Sequence, residues 1–304
     1  MRVKIKVGIR YTRGDKIFLT IDWILLVIFF VIILYPLLFI FVSSISAGTS
    51  YMRLSLVPKK FSLEGYKAVF EHAAVWIGYR NSLIYTVSYT LISMFITICC
   101  AYPLSRKDFG TRKILMALCL FTMYFNGGLI PTYIWMRQLK LINTVWALLL
   151  PNSLSIYNMI VMRTYFSTQI PEELHEASML DGCSDMRYLV NVIIPLSGPI
   201  LAVIALYYAV GMWNDYFNAM IYISDRSLLP LQNILREILM VNVQHNTSTS
   251  PLTQQQIEDI AKMEQRAELM KYSLIVVSSV PVMILYPFVQ KYFVKGVMIG
   301  AVKG

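Results

Sequence analysis

Residues 171–195, PEELHEASMLDGCSDMRYLVNVIIP, form an acid-rich polar segment set between two long apolar stretches. Its side chains suit docking to another protein more than bond chemistry. Glu172, Glu173, Glu176 and Asp181 supply carboxylates, Ala177 and Ser178 are small, and Gly182 permits a reversal of the chain. Pro171 suits a first helical position, and Glu172 and Glu173 put negative charge beside the positive end of the helix dipole. Gly182 is the natural C-terminal cap. On that helix Glu172 and Glu176 share one face while Leu174, Ala177 and Ser178 share another, so one side is acidic and the other small and apolar. Ser184 can cap a second helix carrying Met186, Leu189, Val190 and Ile193, with Pro195 halting it before the next apolar stretch. The plainer alternative is a connector lying on the bilayer surface, but such helices are usually basic and this one is acidic.

Asp215 is the one acid well inside an apolar stretch, and a carboxylate at that depth is a functional candidate because burying it unpaired is costly. Two readings stay open: a pathway contact or coupling-ion site, or a capped, partly wetted group near the outer interface, hydrogen-bonded by Asn214 or Asn218. Trp213 and Tyr216 read as interface-belt aromatics before sugar platforms. His72, His175 and His245 are scattered, and His175, beside Glu176, reads as part of the docking face. Cys99, Cys100, Cys119 and Cys183 lack metal-ligand spacing and read as small buried hydrophobes. No catalytic residue and no metal site are expected: the apolar stretches hold no His-Glu or Ser-His set, and the chain has no Gly-x-x-x-x-Gly-Lys-Ser/Thr phosphate loop.

The elements that must position these residues are membrane helices. A chain of 304 residues that is 57% hydrophobic and only 14% charged, with mean hydropathy +0.59, is an integral membrane protein. The net charge of +10 reflects basic residues flanking membrane spans, so nucleic acid is not an expected partner. Apolar runs predict spans at about 21–42, 81–104, 114–136, 141–162, 199–223 and 272–290. Pro36 should kink the first. Asn126, Gly127, Gly128 and Pro131 interrupt the third, and such breaks line protein or water, seldom lipid. Residues 1–18, with Arg2, Lys4, Lys6, Arg10, Arg13 and Lys16, form a cytoplasmic N-terminal segment, and residues 19–304 one transmembrane domain. The basic loop 105–113 is then cytoplasmic, 43–80 and the long loop 225–271 face outward, and the C-terminus returns inside. The expected fold is an all-α membrane protein with six transmembrane helices and both termini cytoplasmic.

Glu176-Ala177-Ser178, Gly182 after three residues, and Val192-x-Ile194-Pro195 after nine more resemble the EAA loop of the inner-membrane permease subunits of ABC importers. The family pattern is Glu-Ala-Ala, three residues, Gly, nine residues, Ile, one residue, Leu-Pro; Ser178, Val192 and Ile194 depart from it by small or isosteric changes. Residues 126–133, 170–174, 213–217, 229–232 and 295–304 further resemble the oligosaccharide and polysaccharide branch, related to the smaller membrane subunit of the maltose importer. The resemblance implies the type I ABC importer permease fold, a second homologous permease subunit, two ATP-binding subunits, and an extracellular or periplasmic solute-binding protein. It implies that ATP and Mg are bound by the partner ATPase and none by this chain, in a multi-pass protein of the bacterial inner membrane surrounded by lipid. Glu172, Glu173, Glu176, Ala177, Ser178, Asp181, Gly182 and Pro195 would then couple to the ATPase, and Gly300, Lys303 and Gly304 would belong to a tail reaching its interface. Asn126, Gly127, Gly128, Trp213, Asn214 and Asp215 are the pathway candidates. An ion-coupled secondary transporter built on Asp215 is the alternative, and it leaves the spaced pattern unexplained.

Overall fold

Thr12 sets the start of the first helix in the computed structural model, which describes residues 12–46, 61–244, 270–287 and 290. Its hydroxyl accepts from the Asp15 N–H at 3.2 Å while the Asp15 carboxylate accepts from the Thr12 N–H at 2.8 Å, a reciprocal cap. Helix α1 (Arg13–Ser44) follows. At 1.5 Å per residue it extends for about 48 Å, enough to cross a hydrocarbon core of about 30 Å. Its Phe, Ile and Leu side chains are exposed around the helix, which in a stable helix means that lipid or another protein surrounds it. It touches the rest of the chain near its far end. There Ser44 shares a hydrogen bond with the Tyr66 hydroxyl at 2.7 Å, its carbonyl accepts from the Ser273 hydroxyl at 3.1 Å, and Phe39 meets Tyr272 edge-on.

After α2 (Glu64–Glu71) comes α3 (Ala73–Ser105), the helix around which the core is built. It begins earlier than the apolar run predicts, because residues 73–80 continue the helix where an outer connection was expected. Gly78, Ser82, Tyr85, Tyr89, Ser93, Thr97 and Ala101 form its buried stripe, and the small members let other helices approach closely. A Cβ on Gly78 would sit 3.0 Å from the Leu231 Cα.

The rest of the chain is α4 (Arg112–Tyr124), α5 (Leu129–Gln138), α6 (Trp146–Leu149), α7 (Ile156–Gln169), α8 (Glu172–Leu180), α9 (Asp185–Tyr188), α10 (Ile194–Leu196), α11 (Gly198–Trp213), α12 (Phe217–Tyr222), α13 (Leu231–Gln244) and α14 (Met270–Pro287). The core lies where α7, α11 and α13 meet α3. Thr97 and Tyr208 share a hydrogen bond at 2.7 Å, and the Tyr208 oxygen also accepts from the Ser155 N–H at 3.1 Å, so one phenol ties three elements together.

The architecture is all-helical among the described residues, but six straight spans do not emerge. Three helices, α1, α3 and α14, are long and apolar enough to cross a membrane, and α4 with α5 would make another only as a pair bent by 112°. Gly128 explains that break: its φ of +89° is a conformation side chains rarely adopt, and its N–H donates to the Asn126 side-chain oxygen at 2.9 Å. The predicted fourth span fails over its first half. Lys140 and Asn143 have φ of 56° and 60°, the Asn143 N–H donates to the Tyr222 carbonyl at 2.7 Å, and its side chain accepts from the Ser224 and Asp225 N–H groups at 3.0 and 2.8 Å. Tertiary hydrogen bonds thus hold residues 141–145 as a turn, and only α7 is a sustained helix.

Candidate functional site

The Pro171 to Pro195 segment folds as a helix, a reversal and a second helix. Pro171 stands just before α8 with φ −59° and ψ 141°, one place earlier than expected, and Glu172 and Glu173 occupy the first turn. At the other end the Gly182 N–H donates to the Met179 carbonyl at 3.0 Å and the Cys183 N–H to the Ser178 carbonyl at 2.9 Å. Gly182 takes φ +71° to close that turn. Ser184 then caps α9, its hydroxyl accepting from the Arg187 N–H at 3.5 Å.

Pro195 does not halt this helix. Residues 189–193 form a wider turn in which the Ile194 N–H reaches the Leu189 carbonyl, five residues back. The chain passes through that turn into α10 with Pro195 in its first turn, where the missing N–H is no loss. The stop comes at Ser197, and α11 leaves at 84° to the preceding helix.

His175 faces inward, which corrects its expected place on the docking face. It is 9% exposed, and its ring meets the buried Tyr188 edge-on at 5.1 Å. The Arg106 guanidinium lies 6.0 Å from the centre of the Tyr188 ring. Asp185 stands 3.6 Å from the His175 Nε2 and accepts from the Tyr102 hydroxyl at 3.3 Å. The Lys107 ammonium donates to Glu172, and that bond holds the Glu172 carboxyl below its ordinary range. Tyr102, Arg106 and Lys107 all belong to the end of α3 and the basic loop after it, so the acid-rich segment is fastened to that end.

The outward side is therefore not divided as the helical wheel predicted. Glu172 turns toward Lys107, and the half-buried Ser178 donates to the His175 carbonyl at 2.8 Å. Glu173, Glu176, Ala177 and Asp181 remain exposed, and beside them Leu180 is 90% exposed. An exposed leucine flanked by carboxylates is what a cleft with an apolar floor and a basic rim would receive.

The pathway candidates disperse. Asn126, Gly127 and Gly128 form the exposed break between α4 and α5. Trp213 is a packing residue, its indole N–H donating to the Ser278 carbonyl at 3.0 Å and its ring meeting Tyr79. Asn214 is exposed and donates to the Val210 carbonyl. At Asp215 one oxygen accepts from the Asn218 N–H at 3.2 Å and the other from the Asn218 side-chain amide at 2.7 Å, which caps α12. Asp215 also lines a cavity of about 470 Å³ with Tyr89, Asn152, Asn158, Tyr207 and Tyr208. Asn152 and Asn158 carry no motif in the sequence. Their one signal was polarity inside an apolar run. Gly300, Lys303 and Gly304 lie outside the described residues, as do most of the first 18 residues and residues 245–269.

No protein-family model matches the chain. The protein LplC of Bacillus subtilis is 37% identical over 271 residues, covering 88% of this chain and 89% of that one. YtcP of the same organism, a polygalacturonan/rhamnogalacturonan transport system permease protein, is 38% identical over 255 residues, 82% of this chain and 84% of its own. MalG of Thermococcus litoralis, a trehalose/maltose transport system permease protein, is 28% identical over 300 residues, 95% and 97% of the two chains. Among solved structures, a chain of a bacterial ABC transporter involved in import of the acidic polysaccharide alginate superposes with a TM-score of 0.82 at 33% identity, over 94% of this chain and all of that one.

Proposed function

The chain belongs to the ABC-transporter permeases of sugar and polysaccharide import, integral proteins of the cell membrane, and on that footing we propose that it forms half of an ATP-driven pathway for an oligosaccharide or polysaccharide. A second, homologous permease supplies the other half, two cytoplasmic subunits bind and hydrolyse ATP with Mg, and a solute-binding protein delivers the sugar from outside. Six membrane crossings with both termini in the cytoplasm fit this reading, with α4–α5 as a broken span and the turn-rich stretch before α7 completing the fourth.

The observation that carries the proposal is the two-sided build of α8. Its inner face meets the end of α3 through the Glu172–Lys107 pair and, by way of His175, through Tyr188 beneath Arg106, while Glu173, Glu176, Ala177 and Leu180 stand exposed. A helix fixed rigidly to the membrane core and bare on its other side transmits force: when the ATPase cleft moves, α8 moves with it and carries α3 and α11. The ion-coupled alternative is not favoured by the relatives, which are transport-system permease proteins of the ABC type.

Copurification of the tagged chain from gentle detergent, wild type beside Glu176→Arg combined with Gly182→Pro, tests the reading. Proline cannot take the φ of +71° at position 182, so the double variant spoils both the contact and the turn. Wild type should bring down an ATPase and a second permease, and the variant should keep the permease and lose the ATPase. A wild-type chain that purifies alone, or a variant that retains the ATPase in full, sinks the proposal.

A further inference from the structure

Tyr89 sits midway along α3, and there the cavity of about 470 Å³ opens between α3, the start of α7 and the end of α11. Its volume lies within the range of about 300–1000 Å³ usual for small-molecule sites. Some of its polar groups are already engaged: the Tyr208 hydroxyl with Thr97 and Ser155, the Tyr89 hydroxyl with the Asn152 carbonyl. Others are not. Asn158 is 6% exposed, yet its side-chain amide bonds to no described residue, and neither does the Asn152 amide or the Tyr207 hydroxyl. The Asn158 amide is not among the fully buried unpartnered groups, so it opens on the cavity and whatever fills that cavity, water or ligand, meets it.

The chemistry of that visitor follows from the lining. A carboxamide both donates and accepts, as a sugar hydroxyl does. The Asp215 carboxylate keeps lone pairs beyond the two bonds from Asn218 and can accept a charge-assisted bond from a hydroxyl. Tyr207, 46% exposed, offers a ring face for the C–H side of a pyranose. Among the described residues Asp215 is the sole charged side chain in the lining, and no described Lys or Arg joins it. A uronate carboxylate placed there would meet a like charge with no lining cation to offset it. We propose that this cavity is a subsite, within this subunit itself, for one uncharged glycosyl residue of the transported saccharide. The proposal rests on the saccharide-importer reading above.

The full assembly in nanodiscs, without its solute-binding protein, tests this by ligand-detected NMR and calorimetric titration. The probes are neutral trisaccharides of gluco, galacto, xylo and arabino configuration, set against trigalacturonate and triglucuronate. At least one neutral trisaccharide should bind, with the acidic trimers about tenfold weaker or worse. Asn158→Leu and Tyr207→Ala should each weaken the neutral sugar about tenfold, the scale of a lost buried polar partner. Asp215→Asn should narrow the gap between neutral and acidic trimers, which a merely structural role would not do. Tyr207 is half-exposed, so its variant stays informative if the Asn158 variant fails to fold. An assembly that copurifies with its ATPase but binds no neutral trisaccharide, binds the acidic trimers equally well, or is indifferent to all three substitutions overturns the subsite and leaves the importer reading standing. A chain that assembles with no ATPase overturns the reading beneath it.

Discussion

Lys107 and Glu172 are both substantially solvent-exposed, and an exposed ion pair contributes little by itself. The His175–Tyr188 contact holds α8 to α9, with Tyr188 1% exposed, and the Arg106 guanidinium over the Tyr188 ring and the Tyr102–Asp185 hydrogen bond join that pair to the end of α3. The ion pair sets register, and its signature is a pH dependence. Because Lys107 lowers the Glu172 carboxyl, the pair's contribution is fully present above the unfolded value of about 4.3 and is lost as pH falls through the lower folded value. The thermal stability difference between wild type and Lys107→Met should therefore be flat from about pH 6 to 8 and vanish in strong acid. A difference that changes near neutrality, or persists undiminished in strong acid, removes the pair from this role. Glu172 could be assigned to the segment from sequence but not to its partner, since a helical wheel records which residues share a face and not which face turns inward. The same blindness put His175 on the wrong side.

At the scale of elements, α3 fixes the positions of the others through its small residues. A Cβ on Gly78 would meet the Leu231 Cα at 3.0 Å and the Leu231 nitrogen at 3.2 Å, and these are backbone atoms that no rotamer change can move aside. Gly78→Val should push α13 outward and cost about 1–3 kcal/mol, the usual range for overpacking. Gly110→Ala, with nothing within 4 Å of the new carbon, is the control. Equal melting temperatures for the two variants in detergent would mean that α13 is not held by this approach. Helix ends governed by local chemistry were legible: the Gly182 reversal and the Ser184 cap fall where residue type alone puts them. The turn at 141–145 was not, because it depends on Asn143 meeting residues 222–225, far away in sequence. Nor was the wide turn at 189–193, where the Ile194 N–H reaches five residues back to the Leu189 carbonyl just before Pro195.

For the whole molecule, α3 is also a ruler. Near one end, the Asn81 side-chain amide donates to the carbonyls of Ser227 and Leu229 at 2.7 and 3.1 Å. Past the other, Lys107 holds Glu172. Asn81 and Ser105 lie about 36 Å apart at 1.5 Å per residue, more than the ~30 Å hydrocarbon core. If α3 crosses the bilayer, the turn after α12 and the acid-rich segment face opposite sides of the membrane. Hydropathy alone placed the apolar runs, but sidedness rested on the density of basic residues, and the length of α3 supplies an independent constraint. A chain with Cys99, Cys100, Cys119 and Cys183 replaced by Ala or Ser should take a membrane-impermeant maleimide at Asp225→Cys from outside intact cells. Glu173→Cys should react only after the cells are opened. Labelling of both sites from the same side would mean that α3 does not cross the bilayer, and the coupling reading of α8 would go with it.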